Sequence, residues 1–124
     1  IGHVRSRANA GRIVFNMLVS NTDDHLRNHG FLRGAKGWRL APAFDVNPNF
    51  HKDEHALALD ASTSIPSVAA LRASREFYRL TQQQASAIEA EVRAALRGWS
   101  SLAATLGISR SEVQRSSAVI DPER

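Results

Sequence analysis

Residues 21–28, NTDDHLRN, place two adjacent carboxylates beside a histidine, an arginine and two asparagines in one short polar segment. The segment directly follows the apolar run IVFNMLVS. Clustered acids repel one another and lose solvation when they are buried, so they are typical of sites that bind a cation or move a proton. This segment is therefore the first candidate for chemistry in the chain.

Three oxygen-bearing side chains follow one another in an order that suits phosphoryl transfer from Mg-ATP. Asp23 is followed by Asn28 five residues later and by Asp45 22 residues later. In this chemistry one carboxylate orients the attacking hydroxyl, while an amide oxygen and a second carboxylate hold the magnesium ions. Protein kinases carry such groups in an HRDxxxxN loop and a DFG segment. A capping and turn role is the alternative, because Asp and Asn are frequent where a helix gives way to a loop.

The elements that must position these side chains are a helix and a hairpin. Two short apolar stretches, residues 31–32 and 38–40, flank a Gly-Ala-Lys-Gly sequence, which predicts a β-hairpin. A polar loop of about 20 residues follows, and loops of that length are often functional. Before the polar segment, apolar residues at helical spacing predict a largely buried helix over residues 8–20: Ile13, Val14, Met17 and Leu18.

The C-terminal half is helical in pattern throughout. Thr81 is the predicted N-cap of a long helix whose apolar stripe extends to Trp99. Gly107 is the predicted C-cap of the segment that follows it. Ser109, with Glu112 three residues on, predicts a capping box at the start of a last helix. This half is therefore expected to be a helical scaffold without chemistry of its own.

The composition is that of one ordinary globular domain. The chain has 124 residues, of which 43% are hydrophobic and 23% charged, and no apolar run approaches the ~18 residues of a membrane span. It has no cysteine, so disulfides and thiolate metal sites are excluded and the cytoplasm is the expected setting. The net charge of +4 comes from arginines spread over most of the chain, a pattern typical of solvated helix faces.

At the polar segment the chain resembles a known family. NTDDHLRNHGFL, together with GWRLAPAFDVNP, resembles the C-terminal region of HipA-type serine/threonine kinases, the toxins of bacterial toxin–antitoxin pairs. The resemblance implies that Asp23 is the catalytic base, Asn28 a metal ligand and Asp45 the counterpart of the DFG acid. It implies a catalytic positioning role for His25. Arg27 stands where the family commonly has lysine, and with Asn28 it is expected to contact the nucleotide.

The resemblance also implies a fold, cofactors and partners. The expected fold class is mainly α, the helical C-lobe of a protein-kinase-like fold, with a short β-hairpin between the catalytic loop and the metal-binding aspartate. ATP and Mg²⁺ are the implied cofactors. The implied substrate is a serine or threonine on a protein of the translation apparatus, and the implied partner is a helix-turn-helix antitoxin, through which any contact with DNA is indirect. The resemblance assigns no role to Asp24, and Phe44 replaces a frequent tyrosine.

Two other functions compete with the kinase interpretation. The histidine pairs 25 and 29, and 51 and 55, have the i, i+4 spacing that binds zinc when the pair is helical, but both lie in predicted loops. A nucleic-acid-binding module, with SRSEVQRSS as its recognition helix, is the second alternative. It lacks a clustered basic face.

A complete kinase carries two further parts. These are a glycine-rich loop over the phosphates and a strand lysine that pairs with them. The glycines at 30, 34 and 37 do not form GxGxxG, and both lysines follow Asp23, the wrong chain order. The chain also begins at Ile1. We therefore expect residues 1–124 to be the C-terminal lobe of a two-lobed kinase and to be inactive without the other lobe.

Overall fold

The computed structural model describes residues 7–24, 26–50, 68–73 and 75–124. Within them the chain is mainly helical and has one two-stranded antiparallel sheet, which confirms the predicted fold class at this level. Two short 3₁₀ turns cover Leu26–Asn28 and Arg75–Tyr78. The regular elements are α1 (Arg7–Leu18), β1 (Phe31–Gly34), β2 (Gly37–Leu40), α2 (Val68–Ala73), α3 (Gln82–Leu96), α4 (Trp99–Thr105) and α5 (Arg110–Ser116).

Helix α1 forms the centre of the core, as its apolar spacing predicts. Residues three and four apart lie on one helix face, so the apolar positions of α1 are buried together. This face packs mainly on α3, from which Ile88 and Leu96 enter the core. The core residues are Ala10, Ile13, Val14, Met17, Leu18, Val19, Tyr78, Ile88 and Leu96.

The predicted hairpin forms directly after the polar segment. Strands β1 and β2 pair in antiparallel register, with Phe31 opposite Leu40 and Gly34 opposite Gly37. Gly37 has a φ of 111°, a conformation that residues with a Cβ rarely adopt. The glycine therefore permits the tight return that brings the chain back beside β1.

The predicted caps are present, but the long helix is shorter than its apolar stripe indicates. Thr81 caps α3 and forms a capping box with Gln84, and Ser109 does the same with Glu112 for α5. Gly107, with a φ of 85°, directly follows Leu106, the C-cap residue of α4. Helix α3 ends at Leu96, and Trp99 begins α4 instead of continuing α3. Gly98 lies at the break, where its low helix propensity favours an interruption.

A buried acid attaches α2 to α3. Glu89, on the inner side of α3, accepts two hydrogen bonds from the Arg72 guanidinium at 2.8 Å each and one from Arg93 Nε at 3.0 Å. Burial alone would raise the pKa of Glu89, but these hydrogen bonds and charges outweigh it and lower that pKa. The two arginines thus offset the desolvation of a buried carboxylate.

The C-terminal residues return to the end of α1. The backbone N–H of Asp121 donates to the Leu18 carbonyl at 2.8 Å. The Arg124 guanidinium donates to the Met17 carbonyl at 3.0 Å and to Ser20 Oγ at 2.8 Å. These bonds satisfy carbonyl groups that the last turn of a helix leaves unpaired. None of the described helices has the length and apolarity needed to cross a membrane.

Candidate active site

The polar segment begins where α1 ends in a sharp turn. Ser20 has a φ of 54°, and the N–H of Asn21 donates back to the Asn16 carbonyl at 2.8 Å. Asn21 and Thr22 are buried, whereas Asp23 is exposed. The end of α1, which is fixed in the core, therefore presents the Asp23 carboxylate to solvent.

Three tethers bring Asp45 back to this turn. The N–H of Ala41, just after β2, donates to the Gly30 carbonyl at 2.8 Å, and the Arg12 side chain of α1 donates to the Ala41 carbonyl. Further on, the N–H of Asn49 donates to the Ser20 carbonyl at 2.8 Å. Asp45 lies in the segment between these anchors. The hairpin and its two anchored ends thus reverse the chain and return it to the end of α1.

Asp23 and Asp45 line the same cleft, which has a volume of about 260 Å³. Both residues are exposed to solvent. None of the described lining residues is basic, and most carry side-chain oxygen atoms. The lining residues are Asn21, Asp23, Asp45, Asn47, Pro48, Asn49 and Phe50.

Asp45 adopts an unusual backbone conformation at the cleft. Its φ is 55°, in the left-handed region that residues other than glycine seldom occupy. Such conformations cost on the order of 1 kcal/mol and cluster at functional sites. Asn47 Nδ2 donates to Asp45 Oδ1 at 3.2 Å, which orients the carboxylate and leaves its second oxygen to other partners.

Two other predicted site residues, Asn28 and Arg27, are not among the described residues that line the cleft. Asn28 Nδ2 donates to the Asp23 backbone carbonyl at 3.2 Å. Arg27 is exposed on the 3₁₀ turn beside Asn28. His25, predicted to be a positioning residue, lies outside the described residues. The structure therefore brings Asp23 and Asp45 together and connects Asn28 to Asp23 through the backbone.

Asp24, to which the sequence assigned no role, is a buried acid with two side-chain partners. Its carboxylate is buried, accepts a hydrogen bond from Asn16 Nδ2 at 2.8 Å and pairs with His29 Nε2 at 2.7 Å. Asn16 Oδ1 in turn accepts from Asn21 Nδ2 at 3.1 Å. The sequence feature that could have predicted this role of Asp24 is Asn16, a polar residue inside the apolar run, because a buried amide in a helix requires a hydrogen-bond partner.

The donor set of the cleft fits a hard cation. Two carboxylates and the asparagine side chains supply oxygen ligands, the type that Mg²⁺ prefers. In addition, Asn21 Oδ1 is buried without a hydrogen-bond partner among the described residues, although Asn21 lines the cleft. An unpaired carbonyl oxygen beside two carboxylates suits a cation and would disfavour an anion.

The zinc alternative gains no support from the described residues. His29 lies buried against Asp24 and is engaged there. No group of three His, Cys, Asp or Glu side chains in the described ranges is arranged to hold a metal ion. His51 and His55 lie outside the described residues, as does His25.

Comparison with known proteins identifies the family. The model of the HipA-like C-terminal domain matches residues 5–99, which include α1, the polar segment, the hairpin, Asp45 and α3. The chain therefore belongs to the family of HipA-like C-terminal domains. Helix α5 and the C-terminal residues that contact the end of α1 lie beyond the matched region. No curated protein and no solved structure matches the chain.

Proposed function

We propose that the cleft between Asp23 and Asp45 is the phosphoryl-transfer site of a HipA-like serine/threonine protein kinase, and that this chain forms the C-terminal lobe of its catalytic domain. The observation that carries the proposal is that two acids 22 residues apart in sequence line one solvent-open cleft. Membership of the HipA-like family supports the same reaction class.

In the proposed reaction Asp23 acts as the base. A serine or threonine hydroxyl oxygen of a protein substrate forms a bond to the γ-phosphorus of ATP. The bond from that phosphorus to the bridging oxygen breaks, and ADP leaves with the electron pair. Asp23 accepts the hydroxyl proton, for which its exposed carboxylate is suited.

Asp45 and Asn28 are the proposed holders of magnesium. Asn47 occupies one oxygen of Asp45 and leaves the other for a cation. Asn28 gives its nitrogen to the Asp23 carbonyl, so its Oδ1 remains as the ligand atom. When bound, Mg²⁺ supplies charge neutralisation at the ATP phosphates. Arg27 is exposed beside Asn28 and is the proposed phosphate contact, and His25 is proposed to position the loop.

The biological role proposed here follows the family. The HipA-type resemblance suggests a bacterial toxin that acts in the cytoplasm, with a protein of the translation apparatus as substrate and a helix-turn-helix antitoxin as partner. These assignments rest on the family and the catalytic loop, since the scaffold helices by themselves favour no particular substrate.

The proposal is tested by Asp23→Asn in the full-length protein. We expect loss of phosphoryl transfer with ATP affinity retained within about tenfold, or ~1.4 kcal/mol, because a base contributes mainly in the transition state. Transfer of labelled phosphate to a generic protein substrate measures the first quantity, and calorimetric titration with ATP measures the second.

Glu76→Gln provides the matched control, because Glu76 is an acid with a side chain 86% exposed and lies outside the cleft lining. It should leave both quantities unchanged. Phosphoryl transfer by Asp23→Asn at the wild-type rate would mean that Asp23 is only a turn residue and would refute the proposed mechanism.

A further inference from the structure

We propose that Asn21 provides an additional oxygen ligand for the cation in this cleft, and that Asp24 is the positioning residue that orients it through Asn16. The inference deepens the proposed function and rests on it, because it assumes that the cleft binds a divalent cation. It assigns a role to Asn16, which lies near the C-terminal end of α1, and to Asn21 and Asp24, which follow the helix.

The three side chains form a buried relay with one possible direction. An ionised carboxylate only accepts hydrogen bonds, so Asp24 requires Asn16 to present its NH₂ group. Asn16 must then turn its Oδ1 toward Asn21, and Asn21 must donate a hydrogen bond to that oxygen from its own NH₂ group. Each amide orientation follows from the one before it, beginning at the charge of Asp24.

The direction of the relay determines which polar side-chain atom of Asn21 remains without a hydrogen bond within it. Because Nδ2 of Asn21 is committed to Asn16, the remaining polar atom of the side chain is Oδ1. That oxygen is buried, and it has no hydrogen-bond partner among the described residues. A buried carbonyl oxygen without a partner is unfavourable, and a ligand that pairs with it removes this cost.

The surroundings of Asn21 select a cation as that ligand. Asn21 lines the cleft together with Asp23 and Asp45, and none of the described lining residues is basic. A carbonyl oxygen near two carboxylates adds a neutral, hard ligand to a negatively charged site. The relay itself is almost inaccessible to solvent, with Asn16 and Asn21 each 2% exposed and Asp24 4% exposed. The hydrogen bonds within the relay are therefore largely shielded from water, which favours the amide orientations described above.

The relay makes a specific prediction about Asp24→Asn. A new amide at this position can keep its oxygen toward His29 and must then present NH₂ to Asn16. The side-chain amide of Asn16 would then exchange the positions of its oxygen and nitrogen, and the amide of Asn21 would do the same. Asn21 would therefore present an NH₂ group at the cleft instead of an oxygen. We expect this variant to bind a cation at least tenfold more weakly.

The experiment measures the affinity of the full-length protein for Mn²⁺ alone, from the electron paramagnetic resonance signal of free Mn²⁺, without nucleotide. Asn21→Ala, which changes no charge, should weaken binding at least tenfold. The double variant Asn21→Asp/Asp24→Asn keeps the net charge and reverses the relay with an oxygen at the cleft, so it should restore binding. Thermal unfolding of each variant checks that the fold is retained.

Asp45→Asn separates this inference from the proposed function. If Asp45→Asn abolishes Mn²⁺ binding while folded Asn21→Ala stays within twofold of wild type, the role of Asn21 is refuted and the cation site stands. Mn²⁺ affinity unchanged by Asp45→Asn, or no binding by the wild type at millimolar Mn²⁺, would remove the cation site and the inference together. Failure of the double variant to regain affinity would refute the relay, because this variant keeps the net charge of the wild type and, with the relay reversed, should still present a side-chain oxygen of residue 21 at the cleft.

Discussion

Replacement of Glu89 by glutamine is expected to destabilise the protein, because it removes the charge that joins α2 to α3. Glu89 is nearly isosteric with glutamine, so the packing of α3 against α1 should be preserved. What changes is that one acceptor oxygen becomes an NH₂ group facing the guanidinium groups of Arg72 and Arg93. The effect on stability therefore reports on the hydrogen bonds and the charge.

The magnitude follows from how far each arginine is shielded from water. The Arg93 side chain is 15% exposed and that of Glu89 is 9% exposed, so their hydrogen bond forms in a largely dry environment. A hydrogen bond to a charged group contributes ~1.5–3 kcal/mol, which sets the expected loss in the free energy of unfolding. The Arg72 side chain is 60% exposed, and solvent screening makes its contribution secondary.

The difference in stability between wild type and Glu89→Gln should decrease as the pH falls. Burial opposes ionisation of Glu89, but the two arginines outweigh it and lower its pKa in the folded protein. A carboxylate with a lowered folded pKa stabilises the fold above its unfolded pKa of ~4.3, and this contribution is lost as the pH falls through the folded pKa. The difference between wild type and Glu89→Gln should therefore be full at pH 7 and shrink below about pH 4.

Urea denaturation followed by circular dichroism, at pH 7 and at steps down to the acid limit of the fold, measures this difference. Glu91→Gln is the control on the same helix, because Glu91 and its partner Arg7 are both mainly exposed and the pair should contribute under ~1 kcal/mol. A Glu89→Gln loss no larger than that of Glu91→Gln, or a loss that stays constant through acid pH, would refute this explanation of the buried acid.

Three further stability predictions use the same denaturation assay. Leu18→Ala should cost ~2–5 kcal/mol, because Leu18 is fully buried at the end of α1 beneath the polar segment; a loss under 1 kcal/mol would mean that the core closes around the gap. Thr81→Ala should cost ~0.5–2 kcal/mol through loss of the N-cap of α3, whereas Thr81→Ser should retain most of it. Gly107→Ala should destabilise the protein, because its φ of 85° is unfavourable for a residue with a Cβ. Gly98→Ala should be neutral or stabilising by up to ~1 kcal/mol, because Gly98 has a φ of −89° and a Cβ would meet open space at either position. Equal effects of the two substitutions would contradict the backbone argument.

The sequence by itself determined the local elements and the candidate acids. The spacing of the apolar residues in α1 defines its buried face, and Thr81 and Ser109 mark where α3 and α5 begin, because caps act on backbone groups only a few residues away. The glycines around the hairpin turn likewise predicted a local feature, because they affect the backbone conformation of the turn itself. Asp23 and Asp45 were recognisable as candidates because their spacing and side-chain chemistry match a known reaction.

Only the tertiary structure decided how these parts meet. The cleft depends on the bond from Asn49 to Ser20, and the orientation of Asn21 depends on a relay that begins at Asp24. Such partners are selected by burial: a polar group removed from water must find whichever donor or acceptor the fold brings near. Their sequence positions follow no period, so the roles of Asp24 and Asn21 became visible only in the folded chain.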